Sequence, residues 1–500
     1  MNKSIFNAKR FILKPLLNTL ALLVVLLLVV VIYGGFNILT HSQSDNQEHL
    51  RYKQAYLSQL ESRAPLNDPP NIVFVLYDDM GYGDIGPGSS EQTSTPHIDR
   101  LAENGVTLTQ FYSPAPSCTP SRTGFLTGRL APRAGLSTVV FPSDHVMTYF
   151  AEAFRDTNWR LPAEETLIPE MLRAVGYSTA MIGKWHLGDT SPSLPNEFGF
   201  QQYFGPLYSN DMTPFALYRN TEIEMSAPAD QTRLSETYTR EATRFIRAKR
   251  DNPFFLYFAH SFPHIPLFTN EENAGRSRAG LYGDVIEEID DGVGEIIQAL
   301  EDTGQLDNTI VIVTSDNGPW FQGSPGERRG RKGDTFEGGM RVPFIAHWPN
   351  RLPAGTSSNQ IAMGIDLLPT IASWLGLPLP QDRIIDGRSI ASMLESGSSS
   401  PHEYLHYYSD ETLLAVRDQH FKFRPRSGIA YGLAHTPVWV GFPRGPWLFD
   451  IEDDATESFD VSMLYVTDME RLSKEFDRKQ EEMTTNKRGW LPIGGTTEER

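Results

Sequence analysis

Short apolar runs that end in polar residues recur along the chain and predict buried β-strands. The four clearest begin at residues 71, 177, 253 and 309, and they read "NIVFVLYDD", "YSTAMIGKWH", "PFFLYFAHSFPH" and "TIVIVTSDNG". Continuous apolar runs, unlike alternating ones, are typical of strands covered on both faces. Helical spacing lies between them, as in "TPHIDRLAENG" and "AGLYGDVIEEIDDGVGEIIQALEDTG". This alternation predicts an α/β fold in which helices sandwich a mostly parallel sheet.

The pattern changes after about residue 375, where strand-like segments follow one another at hairpin spacing. These segments are "EYLHYYSD", "LLAVRD", "FKFRP" and "PWLFDIEDD", and a charged helical pattern follows near residues 463 to 483. Consecutive short strands without intervening helices are typical of antiparallel sheets. We therefore predict a larger domain at 71–375 and a smaller antiparallel α+β domain at 376–500.

The N-terminus has the pattern of a membrane anchor. A charge-free apolar stretch runs from Leu16 to about Leu39, and it follows the basic residues Lys3, Lys9, Arg10 and Lys14. The stretch is long enough to span a bilayer, and the basic residues favour a cytoplasmic N-terminus with the remaining chain outside. We predict a basic cytoplasmic segment at 1–15, an uncleaved transmembrane signal-anchor at 16–39 and a polar stalk with one short helix at 40–70.

A cleaved signal peptide is the alternative interpretation, and it would give a secreted or periplasmic protein. The apolar run is long, however, and no A-x-A-like cleavage site follows it. The single N-x-S/T sequon, Asn2-Lys3-Ser4, falls on the cytoplasmic side of the predicted anchor. The sequence thus favours a bacterial inner-membrane protein that faces the periplasm over a glycosylated lumenal protein.

Composition narrows the class of function. Apolar residues make up 40% of the 500 residues, which is enough for a large core. The net charge of −18 argues against a nucleic-acid partner, because phosphate binding needs a basic surface. Cys118 is the only cysteine and cannot form an intramolecular disulfide. Because a lone thiol outside the cytosol is open to oxidation, Cys118 is expected to be either buried and inert or chemically converted.

Acidic and amide side chains follow the first and fourth strand-like runs. Asp78 and Asp79 end the first run, and Asp316 and Asn317 end the fourth. Ligands of open α/β sheets bind beyond the carboxyl ends of the strands. Four oxygen-bearing side chains brought together there favour a hard cation, Ca²⁺ or Mg²⁺, over zinc. Ordinary turns are the alternative, since Asp-Asp-x-Gly and Asp-Asn-Gly are common turn sequences.

Basic and histidine side chains follow the other two runs. Lys184 and His186 end the second run, and His260 and His264 end the third. With Arg122 and Lys332 they offer cationic donors for an oxyanion. A solvated or structural side chain is the ordinary alternative for each residue alone. The coincidence at four strand ends favours a common site.

The segment around Cys118 resembles a known family. "CTPSR" at 118–122, followed by "LTGR" at 126–129, closely resembles the sulfatase signature, and "GYSTAMIGKWHLG" at 176–188 resembles the second signature of that family. The likeness continues through "KGDTFEGGMRVP", "DLLPTIASWLG" and "LFDIEDD", over about residues 70–460. It is strongest to the arylsulfatase A type, which "PLYSND" and "HSFPHIP" resemble. The resemblance implies a sulfuric ester hydrolase on an alkaline-phosphatase-like α/β scaffold.

The resemblance also implies a chemical role for the lone cysteine. In this family a separate maturation enzyme converts the corresponding cysteine into formylglycine, whose hydrated aldehyde is a geminal diol. One hydroxyl attacks sulfur and the other later expels sulfate, whereas an ordinary serine would be left as a stable sulfate ester. The implied metal is Ca²⁺, in preference to Mg²⁺. Its implied ligands are Asp78, Asp79, residue 118, Asp316 and Asn317.

The remaining roles are likewise implied by the resemblance. Arg122 matches the residue that steadies the diol, and His186 matches the base that takes the proton from its second hydroxyl. The matching substrate-binding residues are Lys184, Ser209, His264 and Lys332. Lys332 or His264 is placed to protonate the leaving oxygen. His260 has no implied role. The substrate is a sulfated small molecule or carbohydrate, and the sequence leaves aryl, lipid and carbohydrate sulfates open.

Two other functions remain open at this point. A phosphomonoester or phosphonate hydrolase of the same superfamily would act on a similar tetrahedral oxyanion. Phosphatase sites usually need more metal charge, and a single cation site without His-rich ligands favours sulfate. A non-catalytic membrane-anchored binding protein is the second alternative, and the intact catalytic positions argue against it. Assays of an aryl sulfate and an aryl phosphate, with a Cys118→Ala control, separate these functions.

Overall fold

A computed structural model gives the structure of the chain and describes residues 2–40, 43–86, 93–149, 158–248, 250–425, 427–431 and 437–492. The helices are α1 (Asn2–Thr40), α2 (Gln47–Glu61), α3 (Pro96–Glu103), α4 (Cys118–Thr127), α5 (Ala131–Ala134), α6 (Ile168–Ala174), α7 (Leu234–Arg247), α8 (Gly280–Asp302), α9 (Glu337–Met340), α10 (Leu367–Trp374), α11 (Ala391–Ser396) and α12 (Val466–Thr485).

The strands are β1 (Asn71–Tyr77), β2 (Val106–Leu108), β3 (Phe111–Tyr112), β4 (Ser178–Gly183), β5 (Gln202–Gly205), β6 (Leu217–Arg219), β7 (Glu222–Met225), β8 (Phe254–Ala259), β9 (Thr309–Ser315), β10 (Phe344–His347), β11 (Thr356–Ser358), β12 (Ala362–Met363), β13 (Leu405–Ser409), β14 (Thr412–Arg417), β15 (Phe421–Arg424), β16 (Ser427–Tyr431), β17 (Pro437–Arg444) and β18 (Trp447–Asp450).

A ten-stranded sheet forms the centre of the larger domain, in the order β11-β2-β10-β9-β1-β8-β4-β5-β6-β7. The neighbouring strands from β9 to β5 are all parallel, whereas β10, β6 and β7 pair antiparallel with their neighbours. The four strands expected from the apolar runs lie side by side as β9, β1, β8 and β4. Their carboxyl ends therefore meet at one edge of the sheet.

Alternate side chains of β1 enter two different cores. Phe74 packs in a core with residues of α4, α6 and α10, and Val75 packs in another with residues of α3, α7 and α8. Both side chains are essentially inaccessible to solvent. Burial on both faces explains why this strand is a continuous apolar run. The predicted α/β class, with helices on both faces of a mostly parallel sheet, is confirmed.

A smaller antiparallel sheet follows in the C-terminal part of the chain, in the order β13-β14-β15-β18. Leu472 and Phe476 of α12 are buried in one core with Tyr407 and Phe423 of this sheet. The predicted antiparallel α+β unit is thereby confirmed, and the β16-β17 hairpin is an addition to it. The boundary at residue 375 stays a prediction, because the sheet itself begins only at Leu405.

The N-terminal helix α1 contains one segment, Asn18–Asn37, that is long and apolar enough to cross a membrane, with a mean hydropathy of 2.8. The helix α2 follows within the predicted stalk, and it packs on the larger domain. Its Lys53 is buried and pairs with Glu170 at 2.7 Å. The one helix expected in the stalk is thus part of the folded body, while the stalk boundaries stay predictions.

Buried ion pairs join the C-terminal sheet to the larger domain. Lys422 of β15 lies 3.2 Å from Glu337 Oε1 and 3.0 Å from Glu457 Oε1, and all three side chains are inaccessible to solvent. The Glu337 amide also donates to Glu457 Oε2 at 2.6 Å. Glu337 begins α9, five residues after Lys332. The C-terminal sheet therefore holds the segment that carries one of the predicted substrate-binding lysines.

We expect Lys422→Met to lower the free energy of unfolding by about 3–5 kcal/mol, because it removes the cation that lies against both buried carboxylates. Denaturant unfolding of the purified protein measures this change. Lys474→Met, at an exposed position of α12, is the matched control and should change the value by less than about 0.5 kcal/mol. Equal unfolding free energies for the two variants would contradict the assignment.

Candidate active site

Two pairs of oxygen-bearing side chains meet at the carboxyl edge of the sheet. Asp78 and Asp79 follow β1, and Asp316 and Asn317 follow β9, whose last residue lies beside Tyr77 of β1. The Asp79 amide donates to Asp316 Oδ1 at 3.2 Å. All four side chains are buried. Asp79 has a φ of 66°, a left-handed conformation that is typical of residues held in place at functional sites.

Cys118 is the first residue of α4 and faces these carboxylates. Its Sγ lies 3.3 Å from Asp78 Oδ1 and 3.9 Å from Asp79 Oδ1, and Lys332 Nζ donates to it at 3.2 Å. Burial, together with the Asp78 carboxylate, raises the pKa of the thiol well above its usual range. Cys118 is therefore a buried, protonated thiol in a highly charged setting. An inert structural cysteine would instead lie among apolar side chains.

Three cationic side chains pair with the three carboxylates. Arg122, one turn after Cys118, contacts Asp316 Oδ2 through Nε at 3.0 Å and Nη2 at 2.8 Å. Lys184 Nζ lies 2.5 Å from Asp78 Oδ2, and Lys332 Nζ lies 2.8 Å from Asp79 Oδ1. Burial opposes ionisation of Asp78, but Lys184 and the other cations hold the pKa of that carboxyl well below its usual range.

Two features of the site, one at Asp316 and one at Asn317, favour the binding of a further cation. Burial and the neighbouring Asp78 carboxylate raise the pKa of Asp316, so its negative charge is not fully compensated. Asn317 Nδ2 donates to Asp79 Oδ1 at 2.8 Å, whereas its buried Oδ1 has no hydrogen-bond partner among the described residues. Buried oxygens of this kind favour a hard cation. A metal ion could be held by four side chains whose ligand atoms all lie within 4.8 Å of one another, those of Asp78, Asp79, Cys118 and His264.

His186 is a neutral base at the side of the site. Its Nε2 lies 3.0 Å from the Val140 carbonyl oxygen, so Nε2 carries the hydrogen in this contact. Nδ1 is buried and has no hydrogen-bond partner in the part of the chain that the structure describes. Burial and the Lys184 charge lower the pKa of the ring well below its usual range. An unprotonated Nδ1 is therefore available to accept a proton.

Ser209 and His264 close a ring of contacts around the site. Ser209 Oγ accepts a hydrogen bond from Lys184 Nζ at 3.1 Å and lies 3.5 Å from His264 Nδ1. His264 Nε2 lies 3.7 Å from Asp79 Oδ2. The ring runs through Cys118, Asp78, Lys184, Ser209, His264, Asp79 and Lys332 and returns to Cys118. The structure thus brings all the predicted site residues together, with Arg122, His186, Asp316 and Asn317 against this ring.

Some residues of the site were not predicted from the sequence. Asn210 Oδ1 lies 3.1 Å from His264 Nδ1 and orients that ring, and the Ser121 hydroxyl donates to the backbone oxygen of Asp316. Their positions beside Ser209 and Arg122 were the only signal in the sequence. His260 Nδ1 accepts from the Phe262 amide at 2.9 Å, a contact within the turn after β8, and its buried Nε2 has no hydrogen-bond partner among the described residues.

Comparison with known proteins agrees with this geometry. The family model described as Sulfatase matches residues 70–377, and the model described as N-sulphoglucosamine sulphohydrolase, C-terminal, matches residues 331–482. N-acetylgalactosamine-6-sulfatase of Mus musculus is 37% identical over an alignment of 412 residues, and the match covers 78% of this chain and 76% of that protein. Arylsulfatase A of Homo sapiens is 34% identical over an alignment of 442 residues, and the match covers 79% of this chain and 83% of that protein.

A solved structure supports the same assignment. The PsFucS1 sulfatase from Pseudoalteromonas sp. superposes with a TM-score of 0.74 at 28% identity, over 90% of this chain and 96% of that one. The larger sheet and the smaller antiparallel sheet therefore form the alkaline-phosphatase-like architecture that the sequence predicted. With the family match over more than half of the chain and relatives above 30% identity, the chain belongs to the sulfatase family and is a sulfatase.

Proposed function

We propose that the protein hydrolyses sulfate monoesters with formylglycine at position 118 as the nucleophile and one divalent cation. The observation that carries this proposal is the position of Cys118, which is buried in a ring of carboxylates and cations rather than among apolar side chains. The maturation enzyme of the family would act on the chain before Cys118 becomes buried. The geminal diol of formylglycine then faces Asp78 and Lys332.

The donor set at the strand ends fits Ca²⁺. Asp78, Asp79, Asp316 and Asn317 would hold it, together with an oxygen of residue 118. Ca²⁺ accepts many protein oxygens in flexible geometry, whereas Mg²⁺ demands a stricter octahedron and keeps several waters. When bound, Ca²⁺ lowers the pKa of the diol and polarises a sulfate oxygen. The raised pKa of Asp316 and the unpartnered Asn317 Oδ1 support this assignment.

In the first step a diol hydroxyl loses its proton to solvent, its oxygen forms a bond to sulfur, and the bond between sulfur and the alcohol oxygen breaks, so that the proton taken up by the alcohol balances the one released. Lys184, Ser209 and Lys332 bind the sulfate oxygens. The leaving oxygen takes a proton from Lys332 or His264. Burial opposes the charge on Lys332, but the Asp79 carboxylate raises its pKa well above its usual range, so Lys332 carries a proton. The products are a free alcohol and a sulfated residue 118.

In the second step His186 releases sulfate. Its unpartnered Nδ1 takes the proton from the remaining hydroxyl of residue 118, the aldehyde C=O bond forms, and the carbon–oxygen bond to sulfate breaks. Water then adds to the aldehyde and restores the diol. Arg122 steadies the diol through its contacts to Asp316 and to the Lys184 carbonyl oxygen.

The alcohol half of the ester has room beside Lys332. A cavity of about 730 Å³ lies there, and Tyr282, Phe321 and Arg328 are among the residues that line it. This volume is in the range of small-molecule sites. Its walls combine aromatic rings with both basic and acidic side chains, which can stack on a sugar ring and hydrogen-bond its hydroxyl groups. One relative is named for a sulfate on N-acetylgalactosamine, and we therefore propose a sulfated carbohydrate as substrate.

We further propose that α1 anchors the enzyme with its catalytic domain outside the cytoplasm. The apolar span Asn18–Asn37 and the basic residues before it support this topology.

The proposal predicts a modified residue 118 in active protein. Protein produced together with a formylglycine-generating enzyme should give a residue 118 peptide that is lighter than its cysteine form and reacts with carbonyl reagents. It should hydrolyse an aryl sulfate faster than the matching aryl phosphate, and Cys118→Ala should be inactive. Active protein with only unmodified cysteine, as measured by mass spectrometry, would show that the mechanism is wrong.

Paired variants separate the metal-binding role from the proton-transfer role. Asp316→Ala should weaken Ca²⁺ binding by more than about 10-fold, measured by calorimetry, and its activity should partly return at high Ca²⁺. His186→Ala is the matched control, since it should bind Ca²⁺ normally yet lose about 10²- to 10⁴-fold in kcat. Its residue 118 should accumulate sulfate after one turnover. Rescue of His186→Ala, but not of Asp316→Ala, by Ca²⁺ would mean that the two roles are reversed.

A further inference from the structure

Residues 143–149, a turn that leads into helical residues from Val146, expose three apolar side chains beyond the exposed Asp144, and we name this segment the apolar turn. Val146 is 69% exposed, Met147 45% and Tyr149 44%. Between them Thr148 is only 3% exposed, and its hydroxyl donates to the backbone oxygens of Phe141 and Pro142 at 3.2 and 2.7 Å. A hydroxyl turned inward, with apolar side chains turned outward, indicates a surface that meets something other than water.

The apolar turn adjoins the active site. Just before it, the Val140 carbonyl oxygen contacts His186, and the Val140 amide donates to the Thr119 hydroxyl beside Cys118. At its start, the amide and hydroxyl of Ser143 donate to Asp189 Oδ2 at 2.9 and 3.0 Å. The turn is therefore fixed to the same segment that carries His186.

The other side of this segment holds the chain that follows α1. Gln43 Nε2 donates to the Arg160 carbonyl oxygen at 2.9 Å, and the Asp45 carboxylate pairs with both terminal nitrogens of Arg160 at 2.9 Å. The next residue, Leu161, donates its amide to the Leu187 carbonyl oxygen at 2.8 Å, two residues before Asp189. A continuous set of contacts thus links the first residues after α1 to the apolar turn.

Chain length brings this region close to the end of the apolar span. The span ends at Asn37, the helix ends at Thr40, and Gln43 is already held by the folded domain. Three helical residues and three extended ones cover at most about 15 Å. If α1 crosses a bilayer, the surface around Gln43 and Arg160 must lie at the membrane.

We propose that the apolar turn contacts the bilayer in which α1 is anchored, so that the segment carrying His186 lies close to the membrane surface. The inference rests on the proposed anchoring by α1. Three apolar side chains would bind a membrane weakly alone, but α1 makes their contact intramolecular. Tyr149 suits this position, because tyrosine is enriched where membrane and water meet.

Fluorescence quenching on the full-length protein in vesicles tests the contact. Met147→Trp is reconstituted in phosphatidylethanolamine–phosphatidylglycerol vesicles with or without brominated acyl chains, and its emission is corrected for that of the unsubstituted chain. Met463→Trp is the matched control, because Met463 is 86% exposed on the C-terminal unit. We expect the indole introduced by Met147→Trp to emit further to the blue than that of the control and to be quenched by brominated lipid. The indole introduced by Met463→Trp should emit equally in both lipids. Tyr149→Trp serves as a second reporter if Met147→Trp does not fold.

Three outcomes would overturn the inference. The first is equal emission of the Met147→Trp variant in the two lipids. The second is a blue shift that depends on protein density rather than on contact with lipid, which would assign the turn to a second copy of the chain. The third is failure of the unsubstituted protein to float with vesicles, which would refute the anchoring as well. Hydrolysis of a soluble aryl sulfate, measured in the same samples, reports separately on the proposed chemistry.

Discussion

The structure depends on the mutual compensation of buried charges at one edge of the central sheet. Asp78, Asp79 and Asp316 follow two adjacent strands and are withdrawn from water. Each carboxylate forms an ion pair with a cation from another part of the chain. Removing one partner would leave an unpaired charge buried, which lowers the stability of the fold. The strands therefore fix where the carboxylates lie. The cations reach them from three other parts of the chain, namely α4, the end of β4 and the loop that contains Lys332. The same convergence makes a site for an anionic ester.

Support for this arrangement comes from distant parts of the molecule. The C-terminal sheet holds α9, and with it the segment of Lys332, through the buried pairs of Lys422. Asn210 orients His264 from the loop after β5. On the other side, Val140 sets the tautomer of His186 and leads into the apolar turn. A sulfatase anchored by α1 would thus have its base and its membrane contact on one connected stretch of structure.

Much of this arrangement could be predicted from the sequence. Strands covered on both faces are continuous apolar runs, so β1, β4, β8 and β9 and the residues at their ends were recognisable. The short outer strands β6 and β7 carry no such pattern. The roles of Asn210 and Ser121 depend on tertiary contacts that spacing does not encode. The packing of α2 was hidden for a similar reason, since its buried Lys53 is a polar residue that is tolerated inside because it pairs with Glu170 and donates to the Ala163 backbone oxygen.

The central claim, that residue 118 attacks sulfur and that a second hydroxyl on it releases sulfate, is tested most directly with Cys118→Ser. Serine places one hydroxyl in the ring of contacts and offers no second one. The account predicts that this variant, mixed with an aryl sulfate, releases one equivalent of phenol. Its residue 118 peptide should then stay heavier by one sulfate, without further turnover. Sustained turnover by Cys118→Ser, with no sulfated peptide in the mass spectrum, would contradict the account.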